Sequence, residues 1–116
     1  MVYKKVSAFL SALVVILSLT ACAGVNASNA QQHYLLGQQY NRAQNYGDAF
    51  NEIKTAAKQG NMDAQYALGY MYMNGIGTEN DNATGLTWIK QAAAKGQPQA
   101  IKALRLLNNQ PIAVTP

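Results

Sequence analysis

Apolar side chains recur three or four positions apart over most of the chain, which is the spacing of residues on one face of an α-helix. Short polar segments containing glycine and asparagine separate these runs. The pattern predicts five helices, at about residues 32–42, 46–59 and 62–73, from Asp81 or Asn82 to Gly96, and from Pro98 to about 107. We therefore predict an all-α domain over residues 32–108, followed by a short tail at 109–116.

Residues that favour helix starts and ends stand at the boundaries of these runs. Asn45 and Asn61 precede helices, as N-cap residues do. Gly60 follows a helix at the place where a left-handed residue would end it, and Pro98 suits the first position of the last helix. The longer loop at 74–80 contains two glycines, which can adopt positive φ.

The helical runs repeat at nearly constant spacing. Pairs 36 residues apart are Gly60 and Gly96, Ile53 and Ile89, Ala64 and Ala100, and Leu68 and Leu104, whereas Leu36-Gly37 and Leu68-Gly69, and Tyr40 and Tyr72, are 32 apart. The four-residue difference falls in a loop, where stacked repeats tolerate insertions. The chain is therefore predicted to be a short α-solenoid of antiparallel helix pairs, with about two and a half repeats.

Small residues within the helices predict close packing between them. Gly37 and Gly69 each cost roughly 1 kcal/mol of helix propensity relative to alanine, so we expect each to let a neighbouring helix approach. Alanines 56, 57, 92, 93 and 94 are expected to do the same on the partner helices. The predicted core consists of Leu36, Tyr40, Phe50, Ile53, Leu68, Tyr72, Leu86, Ile89, Ala93 and Leu104.

One unit, residues 60–100, carries a distinctive set of positions: Ala64, Leu68-Gly69, Tyr72, Gly75-Ile76-Gly77, Trp88, Ala92-Ala93, Gly96 and Ala100. This set resembles a Sel1-like repeat, a relative of the tetratricopeptide repeat. The resemblance implies an α-solenoid that holds protein partners. The first unit is closer to a tetratricopeptide repeat, since Glu52 occupies the Trp88 position, and the resemblance after Ala100 is partial because Arg105 replaces the glycine.

The first 21 residues have the composition of a signal peptide. Two lysines precede a 14-residue apolar run, Val6 to Leu19, which is shorter than the roughly 20 residues of a membrane-spanning helix. Leu19-Thr20-Ala21-Cys22 resembles the bacterial lipobox, so we predict cleavage before Cys22 and lipidation (palmitate) of that cysteine. Ordinary signal peptidase cleavage and an uncleaved anchor are the alternatives. Residues 22–31 would then be a lipid-anchored tether.

Removal of the predicted signal peptide sets the net charge of the mature chain and indicates its cellular location. From Cys22 onward there are seven basic and five acidic residues, and seven minus five leaves a net charge of +2. No basic stripe favours nucleic acid as a partner. The predicted location is the periplasmic side of the cell envelope. Ala23 lacks the aspartate that would resemble an inner-membrane retention signal, which favours the outer membrane.

The predicted mature chain has few groups that could perform catalysis. Its one serine, Ser28, lies in the tether, its one cysteine is expected to be acylated, and His33 is its only histidine. No nucleophile, base and orienting group can be assembled from these residues, and no spacing favours a metal site. We predict a non-enzyme without cofactor or metal. A cell-wall hydrolase or an antibiotic-degrading enzyme is the weakest alternative.

A second stripe on the first helix of each unit is available for a partner. Tyr66, Tyr70 and Met73 lie off the face that carries Leu68, and the repeat offsets align other positions with them. The predicted partner-binding residues are Tyr34, Gln38, Tyr66, Tyr70, Met73, Lys102 and Leu106. Tyrosine is favoured at interfaces for its large area and polar tip. The alternative is that these tyrosines pack only against neighbouring repeats or the tail.

We expect another segment to cover the apolar surface of the last helix, because a solenoid needs polar end caps. The apolar residues there are Ile101, Leu104, Leu106 and Leu107. The tail or a partner could provide this cover. We predict a membrane-anchored adaptor or scaffold that holds a protein or peptide. The alternative function is an immunity or inhibitor lipoprotein that masks a toxin or a periplasmic enzyme.

Overall fold

The computed structural model describes residues 29–109, and these residues form five α-helices without a strand. They are α1 (29–42), α2 (Tyr46–Lys58), α3 (Met62–Asn74), α4 (Asn82–Ala94) and α5 (Pro98–Asn108). The predicted all-α solenoid is confirmed. The predicted signal peptide, Cys22 and residues 110–116 lie outside the described part of the chain. No helix in the described part is long and apolar enough to cross a membrane.

Neighbouring helices in the chain pack side by side in reversed directions. Gly69 on α3 lies against Ile89 on α4, whereas Met73, one turn further along α3, lies against Gly85, one turn earlier on α4. Contacts that run forward along one helix and backward along the other define an antiparallel pair. α3 also packs on α2, and α4 on α5, so each helix extends a single layered array.

Four helices end in the same hydrogen-bonded turn. A backbone N–H reaches back five residues in each case, and the residue before the donor has positive φ, as in a Schellman motif. The donor–acceptor pairs are Asn45 and Tyr40, Asn61 and Ala56, Ile76 and Met71, and Gln97 and Ala92, at 2.9 to 3.1 Å. The residues with positive φ are Gln44, Gly60, Gly75 and Gly96, as expected for the three glycines. Gln44 adopts φ +61° without being glycine.

The residue after three of these turns also starts the next helix. Asn45, Asn61 and Gln97 accept backbone N–H bonds from residues three positions later. Asp81 caps α4, and hydrogen bonds from Thr84, first its hydroxyl and then its backbone N–H, lower the pKa of the Asp81 carboxyl. The same residue closes the C-terminal turn of one helix and caps the N-terminus of the next. These connections are therefore short, and their geometry is strongly constrained.

The glycines allow the close approach that the sequence predicts. A Cβ built on Gly37 would lie 2.7 Å from Cγ1 of Ile53, and one built on Gly69 would lie 2.6 Å from Cγ1 of Ile89. The two contacts are equivalent under the 32- and 36-residue offsets, so the sequence repeat is also a repeat of packing. Gly85 faces Gly69 and was not predicted to take part.

Most predicted core positions are buried or half-buried. Phe50, Ile53, Leu68 and Ile89 are at most 8% exposed, whereas Tyr40, Tyr72, Leu86, Ala93 and Leu104 are half-buried. Met71, which is 6% exposed, was missed. Of the predicted packing alanines, Ala56, Ala57 and Ala92 are fully buried, Ala93 is half-buried, and Ala94 is exposed because it lies in the last turn of α4.

The prediction that Leu36 lies in the core is wrong, since the side chain is 38% exposed. Its repeat equivalent, Leu68, is fully buried because α3 packs between α2 and α4. α1 is the first described helix, and residues 29–109 place no helix on its outer side. Exposed Gln32 and Gln39 stand there at the positions of buried Ala64 and Met71.

Helix α1 begins earlier than the sequence pattern indicates. Residues 29–31, assigned to the end of the tether, are helical. Ala30 is 3% exposed, and Gln31 accepts a 3.0 Å hydrogen bond from the Asn61 amide. A single buried alanine gives no apolar period, which is why the pattern missed this turn.

Candidate partner-binding groove

Two depressions lie between the first helices of successive units. The one between α1 and α3, which we call the first cavity, has a volume of about 170 Å³ and is lined by Tyr34, Gln38, Asn41, Ile53, Ala67 and Met71. The one between α3 and α5, the apolar groove, has a volume of about 370 Å³ and is lined by Tyr66, Tyr70, Met73, Asn74, Ile89, Ala103, Leu106 and Leu107. Both open on the surface formed by the first helix of each unit.

The apolar groove is the repeat equivalent of the first cavity. Under the 32-residue offset Tyr34, Gln38 and Asn41 become Tyr66, Tyr70 and Met73, and under the 36-residue offset Ile53, Ala67 and Met71 become Ile89, Ala103 and Leu107. All six lining residues of the first cavity thus have a counterpart in the groove. The depression is therefore a property of the repeat.

The two differ in polarity. In the first cavity the side chains of Tyr34 and Gln38 hydrogen-bond, and burial raises the pKa of the Tyr34 hydroxyl. In the apolar groove a second tyrosine replaces Gln38, and a methionine replaces Asn41. Methionine side chains adapt to varied partner shapes. The groove can thus bind apolar side chains, and the first cavity is suited to polar ones.

The three tyrosines of α3 lie in different surroundings. Tyr72 packs its ring edge-on against Phe50, with centroids 5.3 Å apart and planes at 87°, within the core between α2 and α3. Tyr66 is half-buried against the second core cluster, whereas Tyr70 is 51% exposed and Leu106 is 57% exposed. Tyr66 and Tyr70 therefore present apolar area in the groove that the fold does not bury.

The structure brings the seven predicted partner-binding residues to these depressions, in two sets. Tyr34 and Gln38 line the first cavity, and Tyr66, Tyr70, Met73 and Leu106 line the apolar groove. Lys102 lies beside Gln99 at a neighbouring depression that shares Tyr66, Ala103 and Leu106 with the groove. The predicted strip is thus interrupted between the two sets.

Sequence analysis missed one polar contact. His33 Nδ1 lies 2.6 Å from Glu52 Oε2 and joins α1 to α2, with side chains 38% and 26% exposed. Asp48, one turn earlier on the same helix, accepts a 2.6 Å hydrogen bond from the Asn45 amide. The repeat alignment, which puts Glu52 at the position of half-buried Trp88, carried the signal for this contact, because Trp88 packs against the preceding helices. A half-exposed pair of this kind contributes little stability.

Titratable side chains are not assembled into a chemical centre over residues 29–109. No three of the His, Cys, Asp and Glu side chains there lie close enough to hold a metal ion. The apolar groove is lined by aromatic, aliphatic, methionine and asparagine side chains only.

Comparisons with known proteins identify the repeat. Residues 63–97, which span α3, α4 and the Gln97 cap, match the family model of the Sel1 repeat. The crystal structure of a Sel1 repeat protein from Oxalobacter formigenes superposes with a TM-score of 0.64 at 36% identity, over 67% of this chain and 24% of that one.

Curated relatives are larger proteins. A chitin synthase regulator from Malassezia restricta is 36% identical over 65% of this chain, an alginate biosynthesis protein from Pseudomonas syringae pv. tomato 32% over 72%, and a chitin synthase regulatory factor from Schizosaccharomyces pombe 37% over 61%. The matched segment makes up 5%, 19% and 8% of their lengths, respectively. The similarity therefore concerns the repeat unit.

Proposed function

We propose that this chain is a lipid-anchored adaptor, because residues 63–97 match the Sel1 repeat and such repeats generally mediate protein–protein interactions. It holds a protein partner in the apolar groove on the periplasmic side of the envelope, at the outer membrane. The observation that carries this proposal is the groove itself, because Tyr70 and Leu106 keep more than half of their surface exposed there.

The energetics of the groove favour a partner. Burying apolar surface contributes about 25 cal/mol per Å², and tyrosines in the centre of an interface often dominate its affinity. Six of the eight groove residues are large apolar or aromatic side chains, and the backbone beneath them is helical. Little ordering entropy is then lost on binding, since the surface is already formed.

The names of the relatives agree with this function. Two of them are named as regulators of chitin synthase, which is a separate enzyme. Binding to a partner is one way to regulate a separate enzyme, and a helical repeat supplies an extended surface for it.

The anchor is supported by the sequence of the first 22 residues. Replacing Cys22 with serine should abolish incorporation of labelled palmitate, because the thiol is the acylated group in a lipobox. The measurement is autoradiography of the immunoprecipitated chain, together with the mass of its mature N-terminal peptide. Val25→Ser, three residues beyond the motif, is the control and should keep the label. A labelled Cys22→Ser chain would contradict the anchor.

The groove is tested by photo-cross-linking in intact cells. A benzoylphenylalanine at Tyr70 should form cross-links to a partner, because that side chain is exposed in the groove. The same group at exposed Lys90 on α4 is the matched control and should give none. Adducts from Lys90 without adducts from Tyr70 would contradict the groove. Mass spectrometry of the adduct identifies the partner, and a toxin or an enzyme there would favour the inhibitor function.

A further inference from the structure

The charges around the apolar groove are distributed unevenly. The five acidic side chains in residues 29–109 are Asp48, Glu52, Asp63, Glu79 and Asp81, and none of them lines the first cavity, the groove or the depression beside it. Asp48 and Glu52 lie on α2, Glu79 lies in a loop, and Asp81 caps α4. The single charged lining residue is Lys102.

Lys102 occupies a position that is tyrosine in the other two units. It aligns with Tyr34 and Tyr66 through the repeat offsets, so α5 carries a cation where the first helix of each other unit carries a tyrosine. No carboxylate in residues 29–109 lies within 4.0 Å of its ammonium group. The side chain is exposed to solvent beside an apolar surface, so a partner that covered it without supplying an anion would remove water from an unpaired cation.

The carboxylate of Asp63, on the first turn of α3, is already engaged. It accepts a 3.3 Å hydrogen bond from the Gln97 amide, and Gln97 also donates to the side chain of Gln99. Gln99 in turn lines the depression that contains Lys102. The amide side chains of Gln97 and Gln99 thus link Asp63 to that depression, and Lys102 is the charged side chain among the residues that line it.

We propose that the occupant of the apolar groove is a segment of another protein that carries an apolar side chain flanked by aspartate or glutamate. The apolar side chain fills the space between Tyr66, Tyr70 and Leu106, and the acidic side chain pairs with Lys102. This inference rests on the proposed adaptor function and adds the chemistry of the partner. A carboxylate at Lys102 speeds association through attraction and restricts the direction in which the segment lies.

The shape of the groove favours a polypeptide over a small apolar molecule. Small-molecule sites enclose about 70–90% of the ligand surface, whereas this groove is open, with Tyr70 and Leu106 each more than half exposed. It also continues past Tyr66 into the depression at Lys102. A continuous segment that makes one apolar and one charged contact matches both features.

The experiment is selection from a random peptide library displayed on phage, with the full chain held in lipid nanodiscs and empty nanodiscs as counter-selection. Selected peptides should share an apolar residue with an aspartate or glutamate nearby. Lys102→Glu should weaken the affinity for a selected peptide about tenfold. Changing the acidic residue of that peptide to lysine should restore its binding to the Lys102→Glu chain. Lys90→Glu, with the same charge change on exposed α4, should leave the affinity within twofold.

Other results overturn the inference. Selected peptides that lack an acidic residue, or whose affinities are unchanged by Lys102→Glu, would overturn it. The adaptor function would still stand if Tyr66→Ala and Tyr70→Ala abolish the binding of those peptides. A synthetic peptide of residues 110–116 that displaced the selected peptides would identify the chain's own C-terminal segment as the occupant and also overturn the inference. Absence of cross-links from Tyr70 in cells would instead remove the adaptor function.

Discussion

Replacing Gly69 with alanine should lower the free energy of unfolding by about 2 kcal/mol, although alanine is the better helix former by about 1 kcal/mol. A Cβ at this position would lie 2.6 Å from Cγ1 of Ile89 and 2.7 Å from the carbonyl oxygen of Gly85. The Ile89 side chain can rotate, but the Gly85 oxygen belongs to the backbone. Helices α3 and α4 would have to separate, which would loosen the core on both sides of α3.

The matched control is Gly47→Ala, near the start of α2. A Cβ there meets nothing within 4 Å, so this substitution should stabilise the chain by up to about 1 kcal/mol through helix propensity alone. Gly37→Ala should fall between the two, because its close neighbours are side-chain atoms of Ile53. Thermal unfolding followed by circular dichroism measures all three. Stabilisation by Gly69→Ala comparable with that of Gly47→Ala would contradict this account of the packing.

The double variant Tyr66→Ala and Tyr70→Ala should bind the cross-linked partner at least about a hundredfold more weakly. Tyrosines at the centre of an interface often contribute 2 kcal/mol or more each, and 1.4 kcal/mol corresponds to a factor of ten in affinity. Helix content should remain, since Tyr70 is 51% exposed and Tyr66 is only half-buried against the second core cluster. Isothermal titration and far-ultraviolet circular dichroism measure the two quantities.

The control for this variant removes equivalent apolar surface elsewhere. Tyr46 is 42% exposed and Leu35 is 47% exposed, and neither lines a depression described here. Tyr46→Ala with Leu35→Ala should therefore bind as the unmodified chain does. Equal losses in both double variants would show that general surface hydrophobicity, and not the groove, holds the partner.

The parts of the fold that could be predicted are those set by local chemistry and by the repeat. Asn45, Asn61 and Asp81 are N-caps because their side chains accept a backbone N–H bond three residues later. Gly69 was predicted to be a close-approach site because a mid-helix glycine is otherwise unfavourable. The groove residues followed from applying the offsets to a single helix face. Each of these inferences uses either the neighbours of a residue along the chain or its equivalents under the repeat offsets.

What could not be predicted depends on which helices lie next to one another at a particular place. Leu36 and Leu68 share the local pattern Tyr-x-Leu-Gly-x-x-Tyr, but only Leu68 has a helix on either side of it among the described residues. Glu52 pairs with His33 nineteen positions away, on a different helix. Charge spacing within one helix carries no information about such a contact. Predicting that the strip divides into a polar cavity and an apolar groove would likewise have required the depth of each depression, which depends on how separate helices pack.

Because the first cavity and the apolar groove are equivalent, further repeat units could be added to the protein. Residues 61–96 run from one N-cap to the glycine before the next, and therefore form a cassette that begins and ends in the same connection. A chain carrying this cassette twice would gain one more apolar groove, with Tyr66 of the second copy at the position of Lys102. Its avidity for a partner with repeated apolar segments would rise with the number of cassettes. The charge at Lys102 would stay confined to the final groove and would set the orientation of the whole bound segment.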